Sequence, residues 1–178
     1  MEDCMVNKYL AFAVVSSMAL LSCFSPAYGR SYEFGGRPGA YQDSFSSQQG
    51  GRNLIKVDLG ALTWRAFDDQ GSLVNSGRVS GGKAYCKDIH RGCRTVTGTY
   101  TIYTKKGQGC KSSRFPVGRG GAPMPYCMFF KGGYALHGSN AVPNYNASHG
   151  CVRMPPEDAR WLNENFVRVG STRVNIRY

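Results

Sequence analysis

The sequence predicts a mainly β domain that carries one C-terminal α-helix. Three observations point there. Short runs of β-forming residues follow one another, each broken by Gly or Asp. A single stretch near the C-terminus repeats its apolar residues at helical spacing. The composition, with 23 Gly, 11 Tyr and 9 Phe in 178 residues, favours strands and turns.

In chain order, Tyr9 to Phe24 is an almost unbroken apolar run that ends in Ser25-Pro26-Ala27-Tyr28-Gly29. The small residues Ala27 and Gly29 fit export-signal cleavage before Arg30, so residues 1–29 read as a signal peptide. Glu2 and Asp3 offset Lys8 in its charged region, and Met5 is an alternative start. A run of about 16 residues is short of the roughly 20 that a spanning helix needs, so no stable membrane insertion is expected once the signal is removed. Leu20-Leu21-Ser22-Cys23 fits a lipidation site at Cys23 loosely, and a lipoprotein is kept as the alternative. Residues 30–52, rich in Gly, Ser, Gln and Tyr without apolar periodicity, read as a flexible linker.

The folded domain is expected over residues 53–178. Strands are expected at Leu54 to Leu59, Leu62 to Phe67, Leu73 to Val79, Gly98 to Thr104, Tyr126 to Phe130, Ala135 to His137 and Thr172 to Ile176. Asp68-Asp69-Gln70-Gly71 reads as a hairpin turn, because Gly accepts the positive φ such turns require. Pro155-Pro156 starts the helix, Glu157 and Asp158 suit its first turn, and Ala159, Leu162 and Phe166 share one face. Trp161, Leu162 and Phe166 are read as packing that helix on a sheet.

Charge and hydropathy narrow the function. Lys and Arg number 22 against 11 Asp and Glu, a net +11 that favours an anionic partner such as nucleic acid, acidic lipid or an acidic wall polymer. A mean hydropathy of −0.35 excludes a polytopic membrane protein. Past residue 29 five cysteines remain, Cys86, Cys93, Cys110, Cys127 and Cys151. In an oxidising compartment four of five pair, and the fifth needs a reason to exist. Cys86 with Cys93 and Cys110 with Cys127 are the favoured pairs because each is local. The competing reading, a metal site from Cys86, His90 and Cys93, lacks a nearby fourth ligand, and His90 is otherwise an exposed loop residue.

The chemistry concentrates in Ala135-Leu136-His137-Gly138-Ser139 and Ser148-His149-Gly150-Cys151-Val152-Arg153. A thiol with pKa near 8.5 is only a few per cent ionised at neutral pH, so a Cys nucleophile needs a base or a cation beside it. Either histidine supplies one, and spacing alone does not rank them. In an extended segment His149 and Cys151 project to the same side, whereas His137 approaches only if the loop folds back. The Gly150 amide, with that of Cys151, suits a developing oxyanion, and Arg153 suits a carboxylate.

These two segments resemble the signature of YkuD-type L,D-transpeptidases. The resemblance runs from about Leu54 to the C-terminus. It includes Thr95-Val96-Thr97-Gly98-Thr99-Tyr100, where Val96 replaces the family's usual Pro, Met124-Pro125-Tyr126, and the ending Val169-Gly170-Ser171-Thr172-Arg173-Val174. It implies a YkuD-like β-sandwich of mixed sheets with the helix packed on it. It also implies a cysteine-dependent acyltransferase that cross-links peptidoglycan, with Cys151 as nucleophile, His137 as general base and the Gly138 carbonyl orienting the imidazole. His149 and Gly150 would supply oxyanion amides, and Tyr126, Arg153 and Ser148 would position substrate. Stem peptides are the implied partners and carbapenem β-lactams the implied covalent inhibitors, with no cofactor, no metal and no nucleic acid. The implied location is periplasmic or wall-associated. The cysteine-bearing inserts are not general features of the family and are expected to form a lid or acceptor groove. Carboxypeptidase action, protein attachment to the wall, and a non-catalytic peptidoglycan-binding module are the alternatives. A papain-like or NlpC-like order is disfavoured because His137 precedes Cys151.

Overall fold

Alternation of inward and outward side chains builds the first sheet. The computed structural model describes residues 52–178, so the expected signal peptide, Cys23 and nearly all of the linker lie outside the described residues. In β1 (Leu54–Asp58) Ile55 and Val57 are buried, and in β2 (Thr63–Phe67) Trp64 and Ala66 are. β3 (Leu73–Arg78) is an edge strand, β4 (Gly98–Thr101) the opposite edge. The short β5 (Thr104–Lys105), β6 (Met128–Lys131), β7 (Tyr134–Gly138) and β8 (Val152–Met154) form a second sheet in that order. A helix, α1 (Pro156–Trp161), runs on into a wider π turn over Leu162–Phe166, and β9 (Arg173–Arg177) returns to the first sheet. The first sheet has the order β3-β2-β1-β9-β4, with β1 and β9 parallel and its other pairs antiparallel. Both sheets are mixed, as expected.

Their inner faces share one core. Ile55, Val57, Trp64, Val174 and Ile176 come from the first sheet, and Met128, Phe130, Leu136, Val152 and Met154 from the second. Ala159, Leu162 and Phe166 add the buried face of the helix. Pro155 and Pro156 start that helix where expected, with Glu157 and Asp158 in its first turn. Trp64 ties it to β2: the fully buried indole donates from Nε1 to Asp158 Oδ2 at 3.1 Å, and its ring lies 6.3 Å from that of Trp161. Gly77 on β3 makes this contact possible, since a Cβ there would lie 2.3 Å from Asp158 Oδ2 and 2.6 Å from Trp64 Nε1. At the other end, Lys105 Nζ donates to the Asn163 and Val167 carbonyls, a cation on the carbonyls that a helix end leaves open.

Each expected strand differs in extent by at least one residue, and three of the differences have a clear backbone cause. Gly98 to Thr104 is two strands, because the chain changes sheets inside it: Ile102 N–H donates to Thr172 of the first sheet side at 3.0 Å, and Tyr103 N–H to Phe129 of the second at 3.0 Å. Tyr126 and Leu62 do not belong to strands. Their φ values of 57° and 56° are left-handed, which breaks the extended run, so β6 begins at Met128 and β2 at Thr63. β8 was not anticipated; at three residues it has too little sequence to show a period. The Asp68 to Gly71 turn forms as read, with Gly71 at φ 83° and its N–H donating to the Asp68 carbonyl at 3.1 Å.

The two disulfides are the expected ones, Cys86–Cys93 and Cys110–Cys127, and Cys151 is free. No helix among the described residues is long and apolar enough to cross a membrane.

Trp64→Ala removes a fully buried ring and strips the desolvated Asp158 carboxyl of its donor. It is expected to cost about 3–5 kcal/mol of unfolding free energy in urea titration, and Trp64→Phe distinctly less.

Candidate active site

The site begins with the parallel pairing of β7 and β8. Leu136 lies opposite Val152, His137 opposite Arg153 and Gly138 opposite Met154. Neighbouring residues in register point to the same side of a sheet, and side chains alternate along each strand. Leu136, Val152 and Met154 therefore enter the main core, while His137 and Arg153 take the outer face. Cys151 sits immediately before β8 and two residues from Arg153, so the parity of the sheet brings it to the His137 side. It packs there in a smaller cluster with Ala135, Cys110, Met124, Cys127 and Phe129. The Cys110–Cys127 bridge thus covers the face that carries the free thiol.

Residues 139–151, which cross from β7 to β8, form a loop with no helix of its own. Residues 80–83 hold it. Ser80 Oγ donates to the Tyr145 carbonyl at 2.7 Å and accepts from Ala147 N–H at 3.1 Å. Ser148 N–H donates to the Gly81 carbonyl at 2.8 Å, and Lys83 N–H to the Ser148 carbonyl at 3.0 Å. Ser80 and Arg153 exchange backbone hydrogen bonds at 2.9 Å. Asn146 spans Gly81 N–H and the Leu59 carbonyl, at 2.7 and 2.9 Å. The buried Ser148 hydroxyl closes the last turn, donating to the Cys151 carbonyl while accepting from Gly150 N–H at 3.0 Å. Gly150 is the required residue there: its φ is 125°, and a Cβ would lie 2.7 Å from the Tyr134 ring.

The thiol and the imidazole are both neutral at rest. His137 is 6% exposed, and its Nδ1 lies 2.9 Å from the Gly138 carbonyl. A carbonyl only accepts, so Nδ1 carries the proton and Nε2 keeps its lone pair. Burial pushes the His137 pKa down to about 4; the Gly138 carbonyl opposes the shift and the Arg153 charge adds to it. Burial likewise pushes the Cys151 thiol up, against the Ala135 backbone and Arg153, which favour the thiolate. The thiol donates to the Gly133 carbonyl at 3.6 Å. The Arg153 charge acts on both groups, and it favours thiolate and neutral imidazole together. Gly138 is wedged at the end of β7: its N–H donates to the Pro125 carbonyl at 2.8 Å, and a Cβ would meet Pro125 and Pro156 at 3.1 Å.

Two expectations change. The 149–151 segment is bent rather than extended, so His149 does not project alongside Cys151. It turns to the cysteine-bearing inserts, with Nε2 2.7 Å from Asp88 Oδ2 and its ring 4.5 Å from that of Phe115. The Gly150 amide is engaged by Ser148 Oγ and does not stand open for an oxyanion. Tyr126 follows Pro125 and packs on the main core, with the Arg160 charge nearby. His90 is exposed, in the left-handed region at the end of the 3-10 turn Lys87–Ile89. Cys86, Asp88 and His149 bring ligand atoms within 4.8 Å of one another, but the Cys86 sulfur is bonded to Cys93, so that set offers no thiolate to a metal.

Ser80, Asp88, Phe115, Gly133 and Tyr134 were not singled out from the sequence. Only the Ser80-Gly81-Gly82 run carried a signal of close approach: a Cβ on Gly82 would lie 1.8 Å from the Cys93 carbonyl oxygen.

A family model for the YkuD L,D-transpeptidase catalytic domain matches residues 52–176. No curated protein matches. Among solved structures, an L,D-transpeptidase from Xylanimonas cellulosilytica is 27% identical with a TM-score of 0.62, over 74% of this chain and 63% of its own. One from Stackebrandtia nassauensis is 25% identical with a TM-score of 0.58, over 77% of this chain and 62% of its own. L,D-transpeptidase 3 from Mycobacterium tuberculosis, in complex with a faropenem-derived adduct, shares the fold at 20% identity and a TM-score of 0.57, over 72% and 61%. The chain thus spans about three fifths of the length of these relatives. With the family model covering most of the chain, the chain belongs to the L,D-transpeptidase catalytic domain family.

Proposed function

We propose that the chain is a peptidoglycan L,D-transpeptidase that works through a Cys151 acyl-enzyme. The observation that carries this reading is the pairing of β7 with β8, which sets the single unbridged cysteine of the described residues on the face of a buried, neutral histidine. In the first half-reaction Cys151 Sγ attacks the carbonyl of the L-configured third residue of a tetrapeptide stem. His137 Nε2 takes the thiol proton as the C–S bond forms. Burial and Arg153 disfavour a standing imidazolium, so transfer accompanies attack rather than preceding it. The Gly138 carbonyl, accepting from Nδ1–H, steadies the charge while it exists. The imidazolium then protonates the departing D-amino acid, leaving a thioester.

With the Gly150 amide held by Ser148 Oγ, the oxyanion falls to the Cys151 amide and its surroundings. Arg153 suits a stem carboxylate, and Tyr126 is assigned to positioning substrate beyond Gly138. In the second half-reaction an acceptor amine forms a C–N bond as C–S breaks, and its proton returns to sulfur through His137. Binding of penem and carbapenem β-lactams at Cys151 belongs to the same proposal. Its support is the faropenem-derived adduct of the M. tuberculosis neighbour and a further similar L,D-transpeptidase in complex with imipenem. Export ahead of residue 30 completes the reading, supported by two disulfides of the kind that persist in oxidising compartments.

Cys151→Ala is expected to keep its melting temperature within a few degrees and to lose both the imipenem mass adduct and turnover of a tetrapeptide stem to background. An adduct that survives this substitution would remove the assignment.

The pH profile reports the base. A neutral His137 is the competent form, and its pKa is lowered to about 4 in the folded enzyme. The rate constant for acylation by imipenem should therefore climb as pH rises through about 4 and be level by pH 6, where an ordinary histidine with pKa near 6.5 would still be largely protonated. A limb centred near 6.5 in stopped-flow measurements would contradict this.

A further inference from the structure

Two disulfide-closed loops converge on one side chain two residues ahead of the free cysteine. The Cys86–Cys93 loop carries Asp88, whose Oδ2 lies 2.7 Å from His149 Nε2. The Cys110–Cys127 loop carries Phe115, whose ring is tilted 34° against the imidazole at 4.5 Å. His149 is two residues from Cys151, and the chain between them is fixed by Ser148 Oγ on Gly150 N–H and on the Cys151 carbonyl. The imidazole is therefore held just ahead of Cys151, and it links two inserts whose contact residues lie 61 and 34 positions from it in sequence.

Each loop is braced from behind. Cys86 and Arg91 exchange backbone hydrogen bonds, and Gly82, with no room for a Cβ, lets the Cys93 carbonyl pack against the strand-like segment that holds Ser148. In the other loop Ser112 Oγ accepts from Arg114 and Phe115 N–H at 3.2 and 3.0 Å, and Ser112 N–H donates to the Ala122 carbonyl at 2.9 Å. Asp88 is held below the usual carboxylate range: desolvation opposes this, and the His149 hydrogen bond, with the Lys83 charge, outweighs it. An ionised carboxylate on one side and an aromatic face on the other leave the imidazole few alternative orientations.

We propose that Asp88 and Phe115 are positioning residues that fix His149 as a wall at the rim of the acyl-enzyme site, on the side of the inserts, so that the two inserts set whether the thioester goes to an amine acceptor or to water. The proposal rests on the transpeptidase reading above. Both fates begin with the same thioester. In transfer, the amine nitrogen bonds to the acyl carbon, the C–S bond breaks and the amine's proton returns to sulfur by way of His137. In hydrolysis, water supplies the new C–O bond, a carboxylate leaves and the thiol is again restored. A fixed wall narrows the approach and favours a bound acceptor over bulk water, whereas a swinging imidazole opens it.

The test follows a purified acyl-enzyme, formed from a tetrapeptide stem, against a peptide amine acceptor. The variants are Asp88→Asn, Phe115→Ala, Phe115→Tyr and the Cys86→Ser/Cys93→Ser pair. Acylation rates are expected to stay within about threefold of the parent, since neither residue touches Cys151 or His137. The ratio of transfer to hydrolysis is expected to fall about tenfold in Asp88→Asn, Phe115→Ala and the double serine variant. The acceptor KM should rise with little change in kcat, and Phe115→Tyr should restore the parent ratio. Thermal melts confirm that the exposed Asp88 variant remains folded. An unchanged ratio in Asp88→Asn and Phe115→Ala, or acylation lost in a folded Asp88→Asn, overturns the proposal. A parent protein that forms no adduct at Cys151 overturns the transpeptidase reading instead, so the two failures are distinguishable.

Discussion

Three residue pairs between β7 and β8 carry the consequences of the fold. Because the pairing is parallel, the crossover has to leave one end of the sheet and return to the other, and the chain spends residues 139–151 doing so. Shifting that register by one residue would exchange His137 with Leu136 and send the imidazole into the core. The site is therefore a property of strand parity before it is a property of any loop. The core side of the same pairs, with Leu136, Val152 and Met154 fully buried, is what makes the slip expensive.

A crossover without a helix has backbone groups to satisfy, and here residues 80–83 and the Ser148 hydroxyl satisfy them. The chemistry sits at the end of a heavily hydrogen-bonded loop rather than on a mobile one, as positioning within a fraction of an ångström requires. Burial is used twice in the same place. It pushes the His137 imidazole toward its neutral form, and it pushes the Cys151 thiol toward its protonated form.

Inner-face alternation made much of the first sheet legible, since Ile55 and Val57, Trp64 and Ala66, and Val174 and Ile176 each repeat at period two. The helix was legible from Pro155 and Pro156 and from the spacing of Ala159, Leu162 and Phe166. β5 and β8 were not, because two or three residues hold no period and are strands only by virtue of their partners. The split at Ile102 and Tyr103 was hidden for a related reason: nothing in a β-forming run says which sheet each residue joins. In the site, Cys151, His137, Ser148 and Arg153 were readable from two short segments, and cysteine parity and local pairing anticipated both bridges. Asp88, Phe115 and Ser80 were not, because they arrive through long-range closure of loops that have no motif of their own. His149 was expected alongside Cys151 on the premise of an extended 149–151 segment, which the positive φ of Gly150 defeats, and the Gly150 amide is taken by the Ser148 hydroxyl, which the motif alone does not show.

The smaller cluster has a consequence for the maturing chain. Cys151 packs among the residues that include both halves of the Cys110–Cys127 bridge, and an ionised sulfur in that position would be an intramolecular attacker able to shuffle the pairing. Exchange proceeds through the anion, so the desolvation that holds this group in its protonated form also lowers the rate of scrambling. One apolar environment thus protects the cross-link pattern from the free sulfur packed against it.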